Sequence, residues 1–446
     1  MSFPRKLLSA FCSDSTQGKV MRNVVWAVTG KVVTLLSTLF VGILVARYLG
    51  PEQYGLMNYV ISLVALFGVF STFGMNEITI RELARKDLPR EVILGTAFRL
   101  RLALAAVTVL AIAVYLFFSG QDGETCVMIL VYSSSLFFTC SEVIRHYFTS
   151  IVENEYVVLS EIFRTLAGAG VKIVLLLLHA PLWAFIVALA FDAFLLASGY
   201  AVAYRKRVGP FRAWSFDWTF GRHLLATSFP VLISSAAVIV YQRIDQVMIS
   251  HMLDNEQLGY FSTAASFVGL AAFIPSIMVQ TVAPILVRCR KESEERYRQM
   301  AQRAMNLTTW STLLVSCVIS LFSYYIIRYT YGTAYLAAVP VMHILAFKAV
   351  GLALTDTGGQ LTIIENIHQV AFVRNLMSCV VCVLCNYFFL PRWGIEGSAW
   401  ATIITVMFTG GLANLFIPRY HHIFRMQIRA LCLGWKDLYK LKSHIR

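Results

Sequence analysis

Lysines and arginines sit inside the long apolar runs of this chain, where charge is costly. Lys31 falls in the run that begins near Val24, Arg164 within 155–178, Arg243 within 224–250 and Lys348 within 334–357. An ionised group at depth in hydrocarbon costs about 2.5–3.5 kcal/mol even on mild scales, so each such residue is by default a functional candidate. Their sign points to an anion, because guanidinium and ammonium groups match phosphate or carboxylate oxygens through charge-assisted hydrogen bonds. Lys31 and Arg243 are the first candidates, with Arg164 and Lys348 behind them. Ala27, Lys31, Thr34, Thr38 and Gly42 recur at helical spacing, which places Lys31 on one face with two hydroxyls. The run from 224 to 250 adds Ser228, Ser235, Gln242 and Gln246, with Tyr241, Arg243 and Asp245 close by. Asn58, Ser62, Thr263 and Ser266 extend the polar set. Such groups lower the cost of moving a hydrated cargo through hydrocarbon. Asp192 and Asp245 are the embedded carboxylates that could carry a coupling proton. Arg99, Arg101, Arg145 and Arg374 lie where a long side chain can snorkel to the headgroups, which is their plain reading.

The elements that hold these residues are membrane-spanning helices. The chain has 446 residues, is 58% hydrophobic and 14% charged, and has a mean hydropathy of +0.67. A soluble surface of this size needs far more charge. Blocks approaching the roughly 20 apolar residues of a spanning helix recur along the whole chain. They predict spans at 23–48, 52–75, 92–118, 124–148, 155–178, 182–204, 224–250, 257–286, 304–327, 334–357, 368–389 and 395–418, an all-α membrane protein. Gly50-Pro51, Gly120 to Gly123, Ala180-Pro181, Asp254-Asn255, Gly332 and Pro391 to Gly394 are tight turn signals on one side. The first apolar block is too long for a signal-peptide core and lacks a small-x-small cleavage site. The segment Phe3 to Phe11 reads equally as a surface-lying amphipathic stretch or a solvated tail.

Charge sets the orientation. Of the 38 Lys and Arg residues, 26 fall on one side of these spans: the N-terminal tail, the 2–3 loop, the central linker, the 8–9 loop and the C-terminal tail. The positive-inside rule makes that side cytoplasmic, with both termini on it. The inside loops near 149–155 and 364–368 lack Lys and Arg, which weakens the count of twelve. The net charge of +14 belongs to residues flanking apolar spans rather than to a folded basic domain. Anionic headgroups are therefore the expected partner, and nucleic acid is not. Cys379, Cys382 and Cys385 cluster in an apolar run without His or carboxylate beside them, so a structural role is expected and no metal or cofactor.

The chain also repeats itself. Tyr48-Leu49-Gly50-Pro51-Glu52-Gln53-Tyr54-Gly55 returns 204 residues later as Met252-Leu253-Asp254-Asn255-Glu256-Gln257-Leu258-Gly259. Ser62 with Ser266 and Leu66 with Leu270 keep the same offset. Each copy joins the first and second spans of a half, so the offset is six spans and the halves share orientation, a parallel repeat. The expected organisation is an N-terminal segment 1–22, a first lobe 23–204, a linker 205–222, a second lobe 223–418 and a basic tail 419–446.

Asn23-Val24-Val25-Trp26, Ala46-Arg47-Tyr48-Leu49-Gly50-Pro51-Glu52-Gln53-Tyr54-Gly55 and Phe73-Gly74-Met75 with Ile80-Arg81-Glu82 carry a family resemblance. Asp245 to Ile249 and Gly394-Ile395-Glu396-Gly397-Ser398-Ala399-Trp400-Ala401 continue it. Over nearly its full length the chain resembles the polysaccharide-transporter (Wzx-type) flippases of the multidrug/oligosaccharidyl-lipid/polysaccharide exporter superfamily. The resemblance implies two six-helix bundles around a V-shaped cavity lined by the first, second, seventh and eighth spans. It implies a cargo of undecaprenyl-pyrophosphate-linked oligosaccharide, ion-gradient coupling, an inner-membrane location, and contact with other polysaccharide-assembly proteins. On that reading Lys31, Arg243, Arg164 and Lys348 would meet the pyrophosphate.

Two other classes compete. A drug or cation antiporter of the same superfamily would place carboxylates at the cargo site, whereas the embedded charges here are mainly basic. A membrane glycosyltransferase or polymerase would need a sizeable outer loop with catalytic groups, and the outer turns are short. No Walker loop, His-Glu-x-x-His or Asp-x-Asp is present, so a non-enzymatic transporter is the expectation.

Overall fold

A computed structural model describes residues 16–367 and 370–435, and among them every regular element is helical. Among the described residues, eight helical stretches are long and apolar enough to cross a membrane: Thr34–Arg85, Arg90–Ser119, Gly123–Ser150, Leu182–Arg207, Trp218–Met252, Glu294–Thr330, Ala338–Ile364 and Ala371–Leu415. Two of these are kinked at a glycine that breaks the helix. Gly50 (φ 74°) interrupts Thr16–Thr72 and Gly394 (φ 55°) interrupts Ala371–Gly410, at the two places where the sequence predicts a turn between spans. Both glycines hold a positive φ that a side chain would disfavour. Pro51 then opens the next helix, where its missing N–H costs nothing. Helix Glu155–Leu177 is as apolar on average as the others but carries Glu161, Arg164 and Lys172; Asn255–Ala271 and Phe273–Glu292 are two shorter pieces.

Several expected spans are segmented or end early. The 124–148 region is three pieces, Gly123–Ser133, Ser135–Thr139 and Glu142–Ser150. The hydroxyls of Ser134 and Ser141 donate to the carbonyls of Val131 and Phe138, at 2.6 and 2.7 Å, and this back-bonding competes with the helical ladder. The last span was expected to reach 418. Helix instead ends at Gly410, and the 3-10 turns Leu412–Leu415 and Pro418–Tyr420 lead to the helix His421–Leu433.

The chain divides into two compact units, residues 1–45 with 63–235 and residues 46–62 with 236–446. The first is centred on Met75, Ile93, Leu94, Ala97, Val143 and Phe148. Its charged stretch 205–222 lies on helix Arg90–Ser119: Asp217 N–H donates to the Thr96 hydroxyl at 3.0 Å, and the Trp214 indole donates to the Tyr204 hydroxyl at 3.0 Å. The second is centred on Met305, Leu354, Leu361, Tyr420 and Ile423. Large apolar side chains also point outward. On Arg90–Ser119, Val107, Leu110, Val114, Phe117 and Phe118 are exposed, an i, i+3, i+4 stripe that only a hydrocarbon solvent stabilises.

Candidate functional site

In the second unit the helix Trp218–Met252 carries Arg243, Asp245 and Gln246, and Lys348 at the start of Lys348–Ile364 lies near enough to interact with Asp245. Asp245 is 3% exposed, and Lys348 and Arg243 are its charged neighbours. Thr402 donates to its Oδ2 at 3.3 Å, and the Gln246 N–H donates to its Oδ1 at 2.8 Å. A lone buried carboxylate would be strongly disfavoured, and two cations with two hydrogen bonds offset that cost. Two basic side chains against one acidic one make the cluster basic in composition. Arg243, Asp245 and Lys348, three separate candidates in the sequence, thus form one group.

Beside it runs a ladder of neutral polar groups between the two arms of Ala371–Gly410. Ser398 donates to Asn386 Oδ1 at 2.7 Å, and Thr409 donates to Ser378 at 2.7 Å. Asn386 Nδ2 is satisfied by the Cys382 carbonyl at 2.9 Å. Sequence reading did not select Asn386, Ser398 or Thr402. Their signal was available: polar residues at four-residue steps, 382–386 and 398–402, in an otherwise apolar stretch.

A second polar group in the same unit lies on the repeated segment. Ser62 hydrogen-bonds Gln246 Oε1. Asn58 Nδ2 donates to the Tyr54 carbonyl at 2.8 Å, and Ser266 and Asn58 are the polar neighbours of the Tyr54 hydroxyl. Around it Tyr335 packs edge-on against Tyr54 and Tyr260, at 6.5 and 6.2 Å, and donates to the Ala46 carbonyl at 2.6 Å. The repeat is what allows this packing. A Cβ on Gly55 would fall 1.7 Å from the carbonyl oxygen of Asn255, and one on Gly259 would fall 2.0 Å from that of Pro51. Pro51 and Asn255 are repeat equivalents, as are Gly55 and Gly259, so each copy's glycine seats the other copy's helix start.

The first unit holds most of the remaining candidates. Thr34 lies 3.4 Å from Thr165, hydroxyl to hydroxyl, and the adjacent Arg164 has a buried Nε with no partner among the described residues. Lys31, one turn before Thr34, is on the described helix, but its side chain falls outside the described residues. Asp192 forms an ion pair with Lys172, and its Oδ1 lies where a Cβ on Gly168 would come within 2.0 Å. Thr38 and Gln242 are exposed and Ser235 is half-buried. Arg99 and Arg145 are exposed, as snorkelling requires, whereas Arg101 and Arg374 do not snorkel. Arg101 is 1% exposed and donates to Glu142 Oε2 at 3.0 Å and Asn76 Oδ1 at 3.2 Å. Arg374 is buried with Tyr420, Tyr241 and Asp356 as electrostatic partners. No group of three or more metal-ligating side chains occurs among the described residues.

Residues 20–290 match the polysaccharide biosynthesis protein family. The chain belongs to this family. No curated protein matches the chain. Among solved structures, an inward-facing multidrug-resistance transporter of the MATE family has a TM-score of 0.68 at 15% identity, covering 90% of this chain and 96% of its own. The lipid II flippase MurJ, in an inward closed conformation, has a TM-score of 0.65 at 14% identity, covering 92% of each chain. A transporter of the same superfamily from Pyrococcus furiosus, described as having a binding pocket of reverse polarity, has a TM-score of 0.60 at 16% identity, covering 93% of this chain and 96% of its own. At these identities the likeness is one of fold. This polysaccharide biosynthesis protein is a multi-pass membrane protein with the fold of that transporter superfamily.

Proposed function

We propose that this member of the family is a flippase that carries undecaprenyl-pyrophosphate-linked oligosaccharide repeat units from the cytoplasmic to the periplasmic leaflet of a bacterial inner membrane. The observation that carries this reading is the sign of the embedded cluster, where Arg243 and Lys348 outnumber Asp245. Fixed cations in a low dielectric lower the cost of admitting a pyrophosphate, and hydroxyl and amide groups such as Thr34, Asn58, Ser62 and Gln246 replace water around the sugars. Transport proceeds by alternating access, with both termini on the cytoplasmic side where Lys and Arg collect. Lys31, Arg243, Arg164 and Lys348 meet the pyrophosphate. Asp245, whose charge is balanced by Lys348 and Arg243, is the better placed carrier of a coupling ion. Asp192 is already matched one-to-one by Lys172.

The test is complementation of a flippase-null strain. The wild-type chain restores surface polysaccharide; Lys31→Ala and Arg243→Ala abolish restoration while protein levels in the membrane stay unchanged. Full complementation by both variants contradicts the assignment.

A drug or cation antiporter is the second reading, favoured by the fold likeness to a MATE transporter. It requires a carboxylate free to meet a cationic cargo. Two cations flank Asp245, which argues against this carboxylate serving that purpose.

A further inference from the structure

A concave basic surface lies at one end of the second unit, away from the embedded cluster. The end of Phe273–Glu292, the first turns of Glu294–Thr330, the turn at Glu365–Ile367 and the helix His421–Leu433 enclose a cavity of about 1060 Å³. Six arginines line it: Arg290, Arg298, Arg303, Arg419, Arg425 and Arg429. Its two carboxylates are already engaged. Glu294 pairs with Arg298 at 3.1 Å, and Glu365 accepts from His422 at 2.6 Å and from the Tyr297 hydroxyl at 2.9 Å. Burial pushes the Glu365 carboxyl up, yet the His422 hydrogen bond and charge and the Tyr297 hydroxyl hold it below its ordinary value. Glu365 is therefore an anion committed to its neighbours.

Four of the six arginines have no such commitment. Arg303, Arg419, Arg425 and Arg429 make no ion pair within 4 Å among the described residues. The Arg290 guanidinium lies 5.4 Å from the Tyr297 ring centroid, and its Nη1 is buried without a hydrogen-bond partner. The walls are fixed. Trp310 donates to the Ala430 carbonyl at 2.8 Å and Gln302 to the Met426 carbonyl at 3.0 Å, which pins His421–Leu433 to Glu294–Thr330. On the pinned helix His422, Arg425 and Arg429 share one face by three- and four-residue steps, while Ile423, Gln427 and Ala430 face inward. Arginines that only met bulk headgroups would spread over a convex rim. These converge on one hollow, and their mutual repulsion is relieved when an anion occupies it.

We infer that this hollow is a binding site for a ligand bearing two or more adjacent phosphates. Guanidinium forks hold phosphate oxygens in pairs, and one phosphate would leave most of these forks empty. The volume exceeds what a bare phosphate fills and matches a diphosphate with an attached group. The same chemistry has two sources, a free di- or polyphosphate and the headgroups of anionic phospholipid. The inference does not depend on the cargo, because none of these residues belongs to the embedded cluster.

The test uses the full-length protein in neutral detergent, titrated with inorganic pyrophosphate, with inorganic phosphate as comparison. A second arm measures cardiolipin, a lipid whose headgroup carries two phosphates, retained by the protein in native mass spectrometry. The variants are Arg425→Gln with Arg429→Gln, Arg303→Gln, and Arg212→Gln as an exposed arginine outside the hollow. Saturable pyrophosphate binding, tighter than phosphate and weakened at least tenfold by the pair and severalfold by Arg303→Gln, identifies a free source. No pyrophosphate binding but retained cardiolipin, lost in the same variants, identifies the lipid source. Absence of both, retention unchanged by the variants, or an equal loss in Arg212→Gln overturns the site.

Discussion

Arg101 sits in the middle of an apolar helix, and its guanidinium is held by Asn76 and Glu142 from two other helices. Removing one member of a buried charged pair leaves the other unmatched, at a cost of roughly 3–5 kcal/mol. Arg101→Ala is therefore expected to lower thermal stability in detergent by several degrees or more. Arg145→Ala, at a neighbouring exposed position, is expected to change it little. Equal stabilities for the two variants would mean that the Arg101 network holds nothing together. The contrast also marks what single residues disclose. Thr34 and Thr38 could be placed on one helix face from sequence because they lie one turn apart. Arg101 could not be matched in this way, because its partners are 25 and 41 residues away and nothing local announces them. The grouping of Arg243, Asp245 and Lys348 escaped for the same reason: each was visible alone, and only folding brings Lys348 to the other two.

Helices disclose more of themselves than their contacts do. The turns at Gly50 and Gly394 were readable, since Gly-Pro and Pro-Arg-Trp-Gly are strong punctuation between apolar runs. The breaks at Ser134 and Ser141 were not, because whether a serine hydroxyl turns back onto its own helix depends on the surroundings. The recurrence of Glu-Gln-x-Gly was legible as a repeat, but its purpose was not. Gly55 and Gly259 let two helix starts approach backbone to backbone, with Cβ positions that would overlap carbonyl oxygens. Gly55→Val is expected to force these starts apart, loosen Tyr335 from Tyr54 and Tyr260, and abolish transport. Gly42→Val, where a Cβ meets nothing within 4 Å, is expected to be tolerated. Transport by Gly55→Val at the wild-type rate would show that the close approach is incidental.

At the scale of the whole molecule, composition fixes the class, and the family match over residues 20–290 agrees with the resemblance read from the motifs. Fold and membrane character were the most legible properties, because apolar run length and the distribution of 38 basic residues report directly on the solvent around each segment. The cargo is the least legible, since sugar recognition rests on scattered hydroxyl and amide groups that no spacing rule singles out. The embedded charges speak to its sign. The most direct measurement reconstitutes the purified protein into sealed liposomes and follows translocation of a fluorescent polyprenyl-pyrophosphate oligosaccharide beside that of a lipophilic cationic dye. The account requires movement of the pyrophosphate lipid, lost in Arg243→Ala, with no movement of the cation. Transport of the cationic dye alone, surviving Arg243→Ala and lost in Asp245→Asn, would contradict it.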